Sequence, residues 1–302
     1  MHESNDPNSL TNRRVIVIGS SSPLGERIAA LALAAGAAVV STSRSVQEDK
    51  IDHKNLSSIC LNLTDPLAID SLELRSGDLL INAAPLRVLA KALTGRILPT
   101  GVAVPVISSA TATTKALSIF PKDSERAREV FEAEQIIRQS AQNNVRILRP
   151  TMIYGSGRDR NIVRLAKILG RVRILPLVGG GRGLRAPVHV DDLAQVALRV
   201  SESAPLSAPM HVPCGEQLSY HEMVSRTART AKFRYLAIPV PLLPFQIGGR
   251  LFTRVGRVGW LFAVCARMTE DLTMPDDAHI LGVERRQFHP DTLAVGCMKG
   301  LR

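Results

Sequence analysis

Residues 13–45, RRVIVIGSSSPLGERIAALALAAGAAVVSTSRS, decide the fold of this chain. A β-branched run from Val15 to Ile18 ends at Gly19, and an Ala/Leu-rich segment with helical periodicity begins near Ser22. This pattern predicts a strand, a tight turn and a helix, followed by a second strand in AAVVSTSRS. The stretch is therefore expected to form a βαβ unit with parallel strands.

The turn before the helix has the features of a phosphate-binding corner. Gly19 supplies the turn, and Gly25 lets the helix and strand approach closely, while Ser22 replaces the middle glycine of the usual pattern. The backbone N–H groups of Ser21 to Leu24 are expected to face a pyrophosphate at the positive end of the helix. A strand before and a helix after the glycines are the context that a dinucleotide site requires.

The end of the second strand indicates which dinucleotide binds. NAD sites place an acidic residue there to accept hydrogen bonds from the ribose 2′-hydroxyl, whereas this chain has Ser43 followed by Arg44. An arginine beside a serine can bind a 2′-phosphate through charge-assisted hydrogen bonds. NADP is therefore predicted in preference to NAD. The alternative is that Arg44 is a solvated surface arginine.

Strand-like runs recur along the chain, with helical stretches between them, at SSICLNLTD, GDLLINAAP, VAVPVISSAT and NVRILRPTMIYG. Alternating helices and buried apolar strands predict an α/β fold, a doubly wound parallel sheet of the Rossmann type. Ligands of such sheets bind at the carboxyl ends of the strands. Those ends carry small or polar residues, namely Asn62, Ala83, Ala84, Ser108, Ser109, Pro150 and Thr151.

Composition and charge narrow the class of protein. The chain has 302 residues, of which 45% are hydrophobic, enough to bury a full core. No run reaches the roughly 18 apolar residues that span a bilayer, so we expect a cytoplasmic protein with a flexible tail over residues 1–12. The net charge of +11 comes mostly from arginines spread along the chain, and no nucleic-acid partner is expected.

The cysteines and histidines show no pattern typical of a metal site. Cys60, Cys214, Cys265 and Cys297 lie far apart and are expected to be reduced structural thiols. No cluster has metal-ligand spacing, so no metal is expected. His189 is expected to pack and form hydrogen bonds within a return strand, before a helix that Asp191 and Asp192 are expected to cap.

Five motifs in order resemble the extended short-chain dehydrogenase/reductases, the NAD-dependent epimerase/dehydratase group. They are Gly19-x-x-Ser-x-x-Gly25, Asn82-Ala83-Ala84, Ser108-Ser109-Ala110-Thr111, Arg149-Pro150-Thr151-x-x-Tyr154-Gly155 and Arg185-x-Pro-Val-His-Val-Asp-Asp192-Leu-Ala. The resemblance covers residues 13 to about 275. It implies a dinucleotide-binding domain over 13–155 with a return segment at 186–215, and a small C-terminal substrate-binding subdomain over 156–185 and 216–302.

The resemblance also implies roles for individual residues. It places Pro23 and Leu24 near the pyrophosphate, Asn62 and Leu63 near the adenine, Ala83 and Ala84 under the ribose, and Thr151 near the nicotinamide. Ser108 and Pro150 are also expected to bind the cofactor. Ser109 falls on the family's catalytic serine. Arg185 matches the position that typically contacts the diphosphate of a nucleotide-sugar. Arg158, Arg160 and Asn161 are candidate neighbours of sugar or phosphate oxygens, the alternative being that these arginines are surface residues.

The chain departs from the family where proton transfer takes place. In the family a Tyr-x-x-x-Lys pair begins the helix after the serine strand. Aligning Ala133-Glu134 with the family's Ala-Glu puts Arg126 at the tyrosine position and Val130 at the lysine position. Arginine stays protonated at any working pH and valine has no ionisable group, so neither can replace the pair.

Several residues are candidates for replacing the missing pair. Tyr154 is a candidate acid, although its equivalent in the family usually shapes the substrate pocket. Lys115 and Lys122 follow Ser109 and are either sources of positive charge or solvated loop lysines. Arg126 is a candidate for stabilising an oxyanion or binding a phosphate, and is otherwise an exposed residue of the first helical turn.

Two functions follow from these features. The first is an NADP-linked oxidoreductase or epimerase of nucleotide-sugars, in which Ser109 hydrogen-bonds the reacting oxygen and another group replaces tyrosine. The second is a non-catalytic NADP(H)-binding sensor or structural subunit. The resemblance implies a homodimer formed by the helices near 87–95 and 124–142. The basic, apolar stretch 239–268 is predicted either to pack over the substrate pocket or to touch a membrane surface.

Overall fold

The computed structural model describes residues 10–45, 53–116, 118, 121–159, 161–171, 174–241, 243, 265 and 267–290. Within these ranges the strands are β1 Arg14–Ile18, β2 Ala38–Ser43, β3 Leu56–Cys60, β4 Leu79–Asn82, β5 Val104–Ile107, β6 Val145–Pro150, β7 Ile153–Tyr154, β8 Ile174–Val178, β9 Leu184–Arg185, β10 Val188–His189, β11 Met210–Val212, β12 Leu218–Ser219 and β13 Leu236–Val240. The helices are α1 Pro23–Ala34, α2 Leu86–Leu93, α3 Thr111–Thr114, α4 Pro121–Ser140, α5 Ile162–Leu169, α6 Val190–Ser201 and α7 Tyr220–Thr230. Short 3₁₀ turns occupy Asp70–Leu72, Gly179–Gly181 and Asp277–Leu281.

A seven-stranded sheet in the order β11-β6-β5-β4-β1-β2-β3 organises the fold. All of its strand pairings are parallel. The chain winds outward from β1 through β2 and β3, then returns to the other side of β1 at β4. The predicted doubly wound α/β fold is therefore confirmed, with its topological switch point between β1 and β4.

The β1 sequence forms a central strand because its side chains are buried on both sheet faces. Val15 and Val17 belong to the hydrophobic core on one face, and Ile16 and Ile18 belong to the core on the other. Continuous β-branched residues of this kind are typical of parallel strands covered by helices on both sides. Helices α1 and α6 pack together on the first face, and α2 and α4 pack together on the second.

A third hydrophobic core lies beyond the end of the sheet. It contains Tyr154, residues of α5, α7 and β8, and Phe288. The C-terminal segment 267–290 also reaches the first core, because Ala278 and Val283 pack there with residues of β11 and α6. Residues distant in sequence therefore complete the core beneath the sheet.

The predicted domain boundaries stay a prediction. Part of the stretch expected to cover the pocket or touch a membrane, residues 244–264, lies outside the described residues, as does Cys297. Within the ranges that the structure describes, we find no helix whose length and apolar character would let it cross a membrane.

Candidate functional site

The two glycines of the corner after β1 allow an unusually close approach between β1, α1 and β4. Gly19 has φ of +77°, and a Cβ there would lie 2.7 Å from the backbone nitrogen of Ala84. A Cβ on Gly25 would lie 2.3 Å from the carbonyl oxygen of Gly19. Neither position has room for a side chain. The predicted turn at Gly19 and the predicted close packing at Gly25 are both confirmed.

Ser22 begins α1 and also ties it to β4. Its Oγ accepts the Gly25 N–H at 3.0 Å, as a helix cap does, and donates to the Ala83 carbonyl at 3.4 Å. The expectation that every N–H from Ser21 to Leu24 faces a pyrophosphate needs correction. The Ser22 N–H donates to the Gly19 carbonyl at 3.0 Å, and Pro23 has no N–H. Of the four, Ser21 and Leu24 remain candidates.

The residues predicted to hold the adenosine half lie at the carboxyl ends of β2 and β3. Ser43 is half-buried and Arg44 is exposed at the end of β2. After β3, Asn62 Oδ1 accepts the Thr64 N–H at 3.2 Å, which turns the chain, and Leu63 is buried. Because β2 and β3 are paired, these residues share one edge of the sheet.

The residues predicted for the nicotinamide half lie at the ends of β4, β5 and β6. Asn82 is fully buried, and its side-chain amide bonds both backbone groups of Ala84, which shapes the Ala83-Ala84 turn. Ser109 Oγ donates to Thr111 Oγ1 at 2.9 Å and accepts the Thr111 N–H at 3.2 Å. Pro150 ends β6, and the Thr151 hydroxyl donates to the Ala186 carbonyl.

Ser108 was predicted to face the cofactor, but its hydroxyl is used inside the protein. Its Oγ donates to Glu134 Oε1 at 2.5 Å. Glu134 is fully buried and accepts two hydrogen bonds from Arg149, at 2.9 Å from Nε and 2.5 Å from Nη2. A buried carboxylate 26 residues further along the chain therefore takes the Ser108 hydroxyl, and contact of Ser108 with the cofactor stays a prediction. Sequence reasoning used Glu134 for alignment only and missed its contacts.

The Arg149 guanidinium extends this network across the sheet edge. Its Nη1 donates to Thr113 Oγ1 at 2.9 Å, and Thr113 Oγ1 lies 3.4 Å from His211 Nε2. The other ring nitrogen of His211 lies 2.8 Å from Asp277 Oδ2. The network joins the ends of β5, β6 and β11 to the C-terminal segment. It therefore holds the loop that carries Ser109 to a rigid part of the fold.

Tyr154 is placed where an acid/base role does not fit. It is 1% exposed and packs edge-on against His189 and Phe288. Its hydroxyl donates to the Gln287 carbonyl at 3.3 Å and accepts the His289 N–H at 3.2 Å. Burial raises the pKa of this phenol well above its usual value. Tyr154 is thus a core residue that anchors the C-terminal segment.

Arg185 is buried and bonded to backbone carbonyls. It is 4% exposed, its Nη1 donates to the carbonyls of Leu184 at 2.6 Å and Glu270 at 2.8 Å, and its Nη2 donates to the Arg267 carbonyl. Its guanidinium also lies 5.4 Å from the centre of the Tyr220 ring. Contact with a diphosphate stays a prediction. In this conformation Arg185 holds the C-terminal segment against β9.

Arg158 and Asn161 have contacts different from those of Arg185. Arg158 is exposed and forms an ion pair with Glu26 in the first turn of α1. Asn161 precedes α5, where Asp159 supplies the capping oxygen by accepting the Ile162 N–H at 2.8 Å. Arg160 lies outside the described residues.

Lys115 belongs to an ion cluster with Asp123 and Arg267. Its Nζ lies 3.1 Å from Asp123 Oδ1, and Nη2 of Arg267 lies 2.9 Å from each Asp123 carboxylate oxygen. Burial, and then the charge of Arg267, lower the pKa of the Lys115 amine despite the opposing effect of Asp123. Lys122 is exposed. Sequence reasoning missed Asp123 and Arg267, which lie 144 positions apart.

The two residues aligned with the Tyr-x-x-x-Lys pair, Arg126 and Val130, have ordinary structural roles. Arg126 is exposed on α4, which begins at Pro121, so that this arginine lies in the second turn rather than the first. Val130 packs against the second hydrophobic core. No group of three His, Cys, Asp or Glu residues in the described part of the chain is arranged to hold a metal ion.

The cap of α6 differs from the prediction. His189, and not Asp191 or Asp192, begins the helix, and its Nδ1 accepts the Asp191 N–H at 3.2 Å. The two carboxylates are drawn to arginines instead. Asp191 pairs with Arg27 at 2.8 Å, and buried Asp192 accepts from Arg286 Nε at 2.8 Å.

The His189 cap predicts acid sensitivity. Burial, and then Arg286, lower the pKa of His189 below its usual 6.5, so the unfolded chain takes up this proton at higher pH than the folded protein. The stability that neutral His189 contributes is full above pH 6.5 and is lost as the pH falls through the folded pKa. Each pH unit between the two pKa values removes up to about 1.4 kcal/mol.

Urea unfolding of wild type and H189N at pH 8 and pH 5 checks this expectation. Asparagine can cap a helix but does not titrate, so H189N should lose less stability on acidification than the wild type. Equal losses in the two proteins would contradict the assignment.

The sheet order, the glycine corner at the switch point and the capped α1 define a Rossmann-type α/β protein. Comparison with known proteins agrees at the level of the fold. No protein-family model matches the sequence, and no curated protein matches it either.

Several solved structures share the fold. An epimerase from Methanothermobacter thermautotrophicus has a TM-score of 0.67 at 14% identity, over 95% of this chain and 91% of its own. The UDP-glucose 4-epimerase of Thermotoga maritima, solved with UDP-glucose, has a TM-score of 0.63 at 14% identity, over 95% and 98% of the two chains. The Bordetella bronchiseptica enzyme WbmF, solved with NAD⁺, has a TM-score of 0.63 at 17% identity, over 94% and 91%. The chain has the fold of these enzymes.

Proposed function

We propose that this protein binds NADP in preference to NAD and acts as an oxidoreductase or epimerase on a nucleotide-sugar. The observation that carries the proposal is the glycine corner at the switch point, where Gly19 and Gly25 leave no space for side chains. Structures of the same fold were solved with NAD⁺ and with UDP-glucose, which supports the same classes of ligand here. The proposed ligands are a dinucleotide and a nucleotide-sugar.

The residues present fit a dinucleotide. The amino-terminus of α1 offers positive potential and the N–H groups of Ser21 and Leu24 to a pyrophosphate. The Ala83-Ala84 turn, fixed by Asn82, presents only small side chains at the end of β4, where the ribose would lie. When bound, the nicotinamide would supply the hydride acceptor or donor. Ser109 would hydrogen-bond the reacting oxygen of the substrate.

The second candidate is a non-catalytic NADP(H)-binding sensor or structural subunit. Two residues favour it, those aligned with the family's Tyr-x-x-x-Lys pair. Arg126 is exposed and Val130 packs against the hydrophobic core, so neither can transfer a proton as the tyrosine does. The ion cluster around Lys115 favours catalysis, because a sensor of cofactor alone has no need of a partly buried amine six residues after Ser109.

Titration of the purified protein with NADPH, followed by fluorescence, tests binding. The titration is then repeated with UDP-, GDP- and dTDP-sugars while nicotinamide absorbance is recorded. Oxidation of NADPH or formation of a keto-sugar is the expected result. Tight NADPH binding with no turnover of any sugar would support the sensor instead, and no binding would overturn both.

Arg44 is predicted to select the cofactor. R44A should weaken NADPH binding roughly tenfold, equivalent to about 1.4 kcal/mol, because it removes the charge facing the 2′-phosphate. NADH lacks that phosphate, so its dissociation constant should not change. R75A, which removes an exposed arginine outside the site, is the control and should leave NADPH binding unchanged. An R44A protein that binds NADPH as tightly as the wild type would refute the NADP preference.

The assembly and location remain proposals. Helices α2 and α4 pack together, and Val88 and Phe131 on them are 37% and 50% exposed, so these helices are the proposed homodimer surface. A strict monomer in gel filtration would contradict the proposed homodimer. We also retain a cytoplasmic location and peripheral membrane contact of the 239–268 stretch as predictions, the latter testable by liposome flotation.

A further inference from the structure

We propose that Lys115 is the acid/base of the reaction, exchanging a proton with the substrate hydroxyl in place of the tyrosine that the chain lacks. The inference rests on the proposed function, because such a group is needed only if a sugar hydroxyl is oxidised or a keto-sugar is reduced.

Lys115 lies close in the chain to Ser109, and its side chain contacts the start of α4. On one side it directly follows α3, and its N–H donates to the carbonyl of Thr111 at 3.1 Å. Thr111 is the residue whose hydroxyl bonds Ser109. On the other side its Nζ bonds Asp123, three residues before Arg126 on α4, the position aligned with the missing tyrosine. The amine therefore lies at the first turn of α4, where the charge of Arg126 also acts on it, and its residue follows Ser109 by six positions in the chain.

The surroundings of the amine suit a lysine that exchanges protons. Its side chain is 19% exposed, and that of Asp123 is 13% exposed. The charged groups facing it are Asp123 and Arg126 from α4 and Arg267 from the C-terminal segment. Two cations and partial burial oppose the ammonium form, whereas the one carboxylate that supports it is shared with Arg267. The pKa of Lys115 is accordingly lowered from 10.5, toward the range in which a general base works.

The proton balance at Lys115 is simple. In the oxidation direction the O–H bond of the substrate breaks, and an N–H bond forms on the neutral amine, which becomes an ammonium. The electron pair of the O–H bond stays on oxygen and forms the carbonyl. A bound nicotinamide dinucleotide would supply the acceptor for the hydride that leaves the carbon bearing this oxygen. In the reduction direction the ammonium returns its proton to the new alkoxide. Asp123 stabilises the ammonium for as long as Lys115 holds the proton.

A chemical titration tests the amine without relying on turnover. Trace acylation with acetic anhydride across a pH series, read by mass spectrometry, compares Lys115 with exposed Lys122 in the same molecules. Labelling of Lys115 should reach half its maximum at lower pH than labelling of Lys122, and D123N should move the Lys115 midpoint lower still. A mixture of NADP⁺ and the nucleotide-sugar should protect Lys115 alone. Identical midpoints for the two lysines would overturn the proposal.

Variants then test the chemistry. K115M should lower kcat by roughly 10²- to 10⁴-fold, the usual contribution of general acid–base catalysis. K115R should be equally impaired, because a guanidinium keeps the charge but does not release its proton. K122M is the matched control and should keep the wild-type rate. All three should bind NADPH as the wild type does, which shows that they are folded.

The pH profile separates a proton transfer from a structural role. Wild-type oxidation should slow at low pH as Lys115 becomes protonated, and the residual rate of K115M should lack this acid limb. Full activity in K115M, or an unchanged acid limb, would overturn the role of Lys115 alone. No turnover of any nucleotide-sugar by the wild type would instead overturn the proposed function, and the role of Lys115 with it.

Discussion

Replacing Glu134 with alanine should destabilise the protein by roughly 3–5 kcal/mol, because it leaves the largely buried Arg149 guanidinium without its carboxylate. Glu134 is 0% exposed, and Arg149 binds it through both Nε and Nη2. The loss also removes the acceptor of the Ser108 hydroxyl. Urea unfolding followed by circular dichroism measures the change in the free energy of unfolding.

A second carboxylate on the same helix provides the control. Glu129 pairs with Arg87 at 2.6 Å, with both side chains more than one-third exposed. E129A should cost no more than about 1 kcal/mol, as exposed ion pairs do. The double variant E134L/R149M should recover much of the stability lost by E134A, since apolar residues can replace a buried ion pair. If E134A were no less stable than E129A, the pair would not hold α4 to β6 as described.

Replacing Gly25 with alanine should weaken NADPH binding by roughly tenfold or more, a loss of at least about 1.4 kcal/mol. The new Cβ would lie 2.3 Å from the Gly19 carbonyl oxygen and 2.8 Å from Ser20 Cα, both of them backbone atoms of the turn. The turn must therefore move away from α1, which displaces the N–H groups expected to hold the pyrophosphate. A stability loss of about 1–3 kcal/mol should accompany it, as for other overpacked sites.

The control for G25A is a glycine-to-alanine change that lowers stability but lies away from the turn formed by Gly19 and Gly25. Gly95 has φ of +73° and open space around its Cβ position. G95A should cost about 1–2 kcal/mol through its backbone conformation alone and leave the NADPH dissociation constant unchanged. Fluorescence titration of both variants gives the comparison. Equal NADPH affinity in G25A and wild type would show that the corner does not bind the dinucleotide.

The central sheet was predictable because its signals are local. The β-branched run of β1, the turn at Gly19 and the helix after Ser22 follow one another within a few residues, and burial on both sheet faces reinforces them. The same reasoning found the strand ends that meet at one edge. Local pattern and global fold agree there, as they do in a well-specified structure.

The contacts of the site were much less predictable, because they join distant parts of the chain. Nothing in the sequence around Ser108 indicated that Glu134 would accept the hydrogen bond of its hydroxyl. Asp191 and Asp192 are good capping residues by type, yet Arg27 and Arg286 compete for their carboxylates, and His189 caps the helix instead. Tyr154 gave no sign in sequence that Phe288 would bury it. Spacing along the chain does not encode such pairings.

Ala278 and Val283 complete the core on one face of the sheet, and this affects how the protein folds during synthesis. A nascent chain that has emerged as far as β11 contains every strand of the central sheet, yet the apolar surface that these two residues cover is still open to solvent. Chains are made from the amino-terminus, and transiently exposed apolar surface promotes aggregation. The half of the fold built on the central sheet therefore depends during synthesis on a segment made after all of its strands, and we expect ribosome-bound intermediates of this length to need a chaperone.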